Sequence, residues 1–148
     1  MAEPVAGIAE ALVPASGMVW RRVFTGVREE APRARAFARC LLAGTRWVDD
    51  AEFVVAEFVS NALLHTRSGW PGGYFVVELV RQREAVRVGV HDLGGGAAPV
   101  LRQASQEVCL DEHGRGMVAV ANLAFRVGYH GSPAVGHFVW ALLAGGGS

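Results

Sequence analysis

The sequence predicts an α+β domain: a two-layer sandwich with helices on one face of a mixed, mostly antiparallel sheet. Three observations lead there. The hydropathy pattern runs strand, two helices, two strands, helix, two strands, and segregated runs of this kind place helices on one side of a sheet. Two strand-like stretches, Tyr74–Val80 and Ala85–His91, are separated only by the polar turn Arg81–Glu84, which marks a hairpin. The 148 residues are 51% hydrophobic and 19% charged, enough apolar material for a single core in a single domain.

The elements follow in order. Residues 1–17 are small and apolar, with Pro4 and Pro14, and read as a flexible leader. Met18–Thr25 is the first strand of a domain over residues 18–143. Ala31-Pro32 opens a helix, with proline in its first turn where no N–H is needed. That helix runs through Ala36, Phe37, Cys40 and Leu41 towards a stop at Gly44. Asp49 and Asp50 offer N-caps to a longer helix, Ala51–His65, carrying Phe53, Val54, Phe58, Leu63 and Leu64. Ser68-Gly69 and Pro71-Gly72-Gly73 end it, and the hairpin follows. Residues 93–113 show no period and read as a loop. A helix is expected from about Gly116 to Ala124, then strands near Phe125–Tyr129 and His137–Leu142, then a flexible tail over residues 144–148.

Composition excludes several functions. The formal net charge is +0, so nothing points to nucleic acid or an acidic membrane surface. All 14 cationic residues are Arg; with no Lys, neither a Walker A loop nor the strand Lys of ordinary protein kinases is present. The two cysteines, Cys40 and Cys109, make no disulfide framework and are expected to be buried free thiols. Cys109 and His113 are too few ligands for zinc. No signal peptide is visible and the apolar runs are too short to span a bilayer, so a soluble cytoplasmic protein is expected.

Three segments carry chemistry. Glu57, Asn61 and His65 recur every four residues, which leaves about 40° of rotation per step and forms one drifting helical stripe. A carboxylate and an amide beside apolar Phe53, Phe58 and Leu64 suit a hydrated Mg²⁺, with Asn61 lending an oxygen and Glu57 orienting or deprotonating a hydroxyl. Taken alone, the stripe fits a solvent-facing polar face as well. Asp92-Leu93-Gly94-Gly95-Gly96 follows a strand, where an acid accepts a hydrogen bond from the exocyclic amine of adenine and glycines let backbone approach the ring. Taken alone, it is also a common turn. Gly114-Arg115-Gly116-Met117 precedes an apolar run; unblocked N–H groups at a helix start bind anions such as triphosphate, and Arg115 adds charge. A glycine hinge is the competing reading.

In that order, the three segments resemble the Bergerat-type (histidine-kinase-like) ATPases, the superfamily of gyrase, heat-shock chaperones and histidine kinases. Within it the chain is most similar to the small anti-sigma-factor serine/threonine kinases common in actinobacteria. Glu57-Phe58-Val59-Ser60-Asn61-Ala62-Leu63-Leu64-His65 matches the N box, Asp92–Gly96 the first glycine box, and Gly114–Met117 the second. Ala31–Phe37 resembles the family's first helix, and the likeness covers roughly residues 18–143. The resemblance implies ATP and Mg²⁺ as cofactors, with Asn61 on the metal, Glu57 as catalytic base and Asp92 on adenine. Gly94, Gly96, Gly114 and Gly116 would shape the pocket, with His65, Arg115 and Met117 beside them, and residues 97–113 would form the lid. Family members often carry a basic or aromatic residue where this chain has Leu64. No helix pair bears a phospho-accepting His, which argues against a sensor histidine kinase. His91, His113, His130 and His137 match no functional position.

The implied activity is transfer of the γ-phosphoryl of Mg-ATP to a Ser or Thr of a protein antagonist, together with control of a sigma factor. A homodimer is compatible with this. The other readings are a nucleotide-gated binding switch without phosphate transfer and a scaffold with a vestigial pocket.

Overall fold

The computed structural model describes residues 17–95 and 112–145. Gly96, Cys109 and nearly all of the expected 97–113 lid lie outside them. Five strands form one sheet: β1 (Met18–Thr25), β2 (Tyr74–Arg81), β3 (Ala85–His91), β4 (Arg126–Ser132) and β5 (Gly136–Ala144), in the spatial order β1-β2-β3-β5-β4. Three helices, α1 (Ala31–Leu41), α2 (Val48–His65) and α3 (Glu112–Leu123), accompany it. This is the expected two-layer α+β sandwich, and its sheet, expected to be mixed and mostly antiparallel, has all four pairings antiparallel. The pair α1 and α2 returns the chain to the end of the sheet it left, so Tyr74 opens β2 opposite Thr25 at the end of β1. The α3 connection makes β3 and β4 run the same way, but β5 lies between them and is antiparallel to both.

Strand side chains alternate between two faces. Phe24, Phe75, Val77, Leu79, Val86, Val88, Val90, Val139, Ala141 and Leu143 meet the helices in the main core. From α2 that core takes Ala51, Val54, Val55, Phe58, Val59 and Ala62, a stripe at three- and four-residue spacing. β-Branched valines suit helices poorly, yet here they fill the space over the sheet. Burial of that stripe outweighs propensity. Ala34 and Ala38 of α1 are fully buried, small enough to let α1 lie close to α2.

Several local expectations are corrected. Asp49 and Asp50 lie inside the first turn of α2, which starts at Val48 after Trp47 and has no side-chain cap bond. Acids there still oppose the positive end of the helix. Asp49 also accepts from Arg39 at 3.0 Å. Helix α3 begins at Glu112, not near Gly116, so Gly114, Arg115 and Gly116 are helical. Glycine costs a helix about 1 kcal/mol, which hides the segment in the sequence; burial of Met117 and Val120 in the core offsets that cost. The last two strands are also longer than expected, because β5 is buried on both faces almost throughout and pairs over its whole length. Cys40 is exposed, contrary to the expected buried thiol. It lies off the face of α1 marked by Ala34 and Ala38. No helix among the described residues is long and apolar enough to cross a membrane.

Candidate functional site

The turn after β3 is fixed from three directions. Asp92 Oδ1 accepts from the backbone N–H groups of Gly94 (2.7 Å) and His137 (3.1 Å), an Asx-type turn tied to β5. The N–H of Asp92 donates to the carbonyl of His137 at 2.9 Å, extending the ladder one residue beyond β3. Leu93 N–H donates to Ser68 Oγ (3.0 Å), and Arg67 N–H donates to the Gly94 carbonyl (2.7 Å). Gly95 N–H donates to the Pro133 carbonyl at 2.7 Å. Gly94 and Gly95 have φ of +74° and +86°, which side-chain-bearing residues rarely adopt. A Cβ on Gly94 would also collide with the Pro133 carbonyl. The Asp92 side chain is only 6% exposed, and its Oδ2 has no bond among the described residues.

Three residues of this arrangement were not assigned a role from sequence. Thr66 Oγ1 donates to Ala62 O at the end of α2 (2.6 Å) and accepts from Ser68 N–H (3.0 Å). It thereby closes the short 3₁₀ turn Arg67–Gly69 that presents Ser68 to Leu93. The Thr-x-Ser-Gly pattern is a turn signal that could have been read this way. His137 holds Asp92 through its backbone, and no local pattern reveals that. Its imidazole is buried, and Nδ1 sits 3.5 Å from Asp92 Oδ1 without making a hydrogen bond.

The helical stripe forms as expected along the rim of the buried face of α2. Glu57 and Asn61 are half-buried, while His65 is exposed at the last residue of the helix. Neither Glu57 nor Asn61 has a hydrogen bond or ion pair among the described residues. Burial pushes the Glu57 carboxyl above its ordinary pKa, because the charged form loses hydration without gaining a partner. Helix α3 supplies the other wall. Gly116 lies so close to Glu57 that a Cβ there would overlap its Oε2. Arg115 is exposed, and Met117 is 6% exposed within the main core. Leu64 is 60% exposed.

The fold therefore brings Glu57 to Gly116 and ties the end of α2 to the Asp92 turn. Among the described residues Asp92 keeps a free carboxylate oxygen, Asn61 a free amide and Glu57 an unpaired carboxylate. This set fits a magnesium nucleotide: a buried acceptor selects a base amine, and hard oxygens take Mg²⁺ beside phosphates.

Comparison with known proteins agrees with the geometry. The family model for the histidine kinase-like ATPase domain matches residues 25–141, from the end of β1 into β5. No curated protein matches the chain.

Proposed function

The chain belongs to the histidine kinase-like ATPase family and carries its ATP-binding domain, and from that premise we propose that it is a cytoplasmic regulatory serine/threonine kinase of the anti-sigma-factor type. It would phosphorylate a Ser or Thr of an antagonist protein and, in its other state, hold a sigma factor. The observation that carries this reading is the half-buried Glu57 carboxylate against Gly116, one helical turn before Asn61 and without a partner among the described residues.

Mg-ATP, when bound, supplies the phosphoryl group and neutralises its charge. The chain's own residues have separate tasks. Asp92 accepts a hydrogen bond from the adenine amine, which guanine cannot offer because it carries an acceptor there. Asn61 offers its amide oxygen to Mg²⁺. The glycines at 94, 114 and 116 keep side chains out of the pocket. Glu57 takes the proton of the substrate hydroxyl. A carboxylate cannot help to hold a triphosphate, since like charges repel. The raised pKa of Glu57 makes it the stronger base.

The test is capture of partners from the native cytoplasm with and without ATP, followed by transfer of labelled γ-phosphate from Mg-ATP to the captured protein. Label on a partner Ser or Thr, absent with Glu57→Gln, supports the kinase. Capture that depends on ATP without any label supports the nucleotide-gated switch instead.

A further inference from the structure

The sheet face away from the helices holds a cavity of about 510 Å³. It opens beside the Asp92 turn but on the opposite face. Its walls include Arg21 from β1, Tyr74 and Val76 from β2, His91 from β3, Phe138 from β5 and His130 from β4. Register explains why they meet. Val76 pairs with His91, His91 with Phe138, and Phe138 with His130, so one row crosses four strands on this face. The His91 ring stacks on Phe138 with centroids 4.0 Å apart and planes at 21°, and His130 lies 5.4 Å from the same ring. Gly89 leaves the space that Phe138 fills; a Cβ there would strike its ring.

Among the polar groups of this cavity Arg21 is the committed donor, while His91, His130 and Tyr74 each carry groups able to donate or accept. Glu78, beneath it, is saturated: Oε1 takes Arg87 at 2.9 Å, and Oε2 takes His91 at 2.7 Å and Arg21 at 3.2 Å. Burial alone would push the Glu78 carboxyl up, but the bonds from His91 and Arg21 and the nearby charge of Arg21 and Arg87 hold it down at about 2. Glu78 is therefore a fixed negative charge balancing two arginines. Only the Nε of Arg21 is engaged, and its side chain is 64% exposed, so both terminal amino groups are free among the described residues. The His130 ring, His91 Nδ1 and the Tyr74 hydroxyl also lack hydrogen-bond partners there. Asp92, the acid in the lining, has its Oδ1 occupied by backbone N–H groups and its Oδ2 without a bond among the described residues; it follows the end of β3, whereas Arg21 sits opposite Glu78 further along the sheet.

We propose that this cavity is a second binding site, adjoining the nucleotide site across the Asp92 turn, for an organic anion: a carboxylate or phosphate carried on an apolar or aromatic body. The Arg21 fork matches the two oxygens of either headgroup. Phe138, Val76, Tyr74 and Val135 cover the apolar part. The volume falls within the range of small-molecule pockets.

The experiment titrates the full chain, without nucleotide, with phenylacetate, phenyl phosphate and neutral benzyl alcohol, reading the His91 and His130 ring signals by NMR. One of the two anions shifts both rings saturably, and the tighter one names the headgroup. Benzyl alcohol binds at least about tenfold more weakly, as expected when a charge-assisted bond is lost. Arg21→Ala and, separately, His130→Ala reduce anion affinity, Arg21→Ala by about tenfold or more. His130 is exposed and its ring has no hydrogen bond among the described residues, so His130→Ala keeps the wild-type urea midpoint. Arg21→Ala takes one cation from Glu78 and lowers the midpoint, so its affinity is read without urea at a temperature where it is shown to be folded. The proposal is overturned if neither anion moves the rings, if benzyl alcohol binds as well, or if a folded Arg21→Ala binds unchanged. An ATP titration of the same variants keeps the two sites apart, since loss of ATP binding alone would count against the nucleotide reading and leave this one standing.

Discussion

Glu57 and Glu78 are both removed from open solvent, on opposite sides of one sheet, and their surroundings drive them in opposite directions. Glu78, on β2, meets Arg21, Arg87 and His91, and its carboxyl falls to about 2 despite burial. Glu57, on α2, meets the backbone of Gly116 and no cation among the described residues, and burial moves its carboxyl up. A buried carboxylate with every oxygen occupied is a structural charge, and removing it leaves its partners poorly compensated. One left without partners costs stability, and a use for the protonatable group accounts for that cost. The difference separates an acid that holds the sheet from one placed to do chemistry.

Glu57→Gln is expected to lower phosphoryl transfer to a verified partner by about 10²–10⁴-fold, the usual worth of general-base assistance, with ATP affinity unchanged by calorimetry. Equal turnover in mutant and wild type would reduce Glu57 to a merely tolerated buried acid. At Glu78 the expectation is reversed. Glu78→Gln should cost about 3 kcal/mol in urea unfolding, as for other broken buried pairs, and leave nucleotide affinity alone. A stability within experimental error of wild type would mean that the three-cation cluster does not hold the sheet.

Asp92 lies between these cases, with one oxygen fixed and one free. Asp92→Asn sets a donor against the adenine amine and should weaken ATP binding by about 1–3 kcal/mol, roughly 5- to 150-fold. Calorimetry giving equal ATP and GTP affinity in the wild type would remove adenine selection from Asp92.

Acid titration sharpens the contrast. The folded-state pKa of Glu78 is depressed, so its contribution to stability is complete above the ordinary carboxylate range and is lost as pH falls from about 4.5 towards about 2. Urea midpoints across that window should drop more steeply in wild type than in Glu78→Gln. For Glu57, with its raised pKa, the sign is opposite. Its charged form penalises the fold once pH exceeds that pKa, so Glu57→Gln should be as stable as wild type at neutral pH, or more stable by up to about 1 kcal/mol. Marked destabilisation would show that the carboxylate has a structural partner.

Fold class and the candidate site differ in how far the sequence alone reaches. Element type and order follow from the sequence, because periodicity is local: the buried positions of α2 and the strand alternation of β2 and β3 are written within a few residues. The stripe Glu57–Asn61 and the glycine turn after His91 are equally local, and both stand where the pattern puts them. Tertiary structure decided what local patterns cannot encode. The start of α3 depended on core burial of Met117 and Val120, and the antiparallel pairing of β1 with β2 depended on where α1 and α2 return the chain. The partners of Asp92 and Leu93 lie 45 and 25 residues away, at His137 and Ser68. Hydrogen bonds over such separations form only after the sheet has closed, so no window of sequence contains both ends, and the contrast between a satisfied Glu78 and an unsatisfied Glu57 exists only in the folded chain.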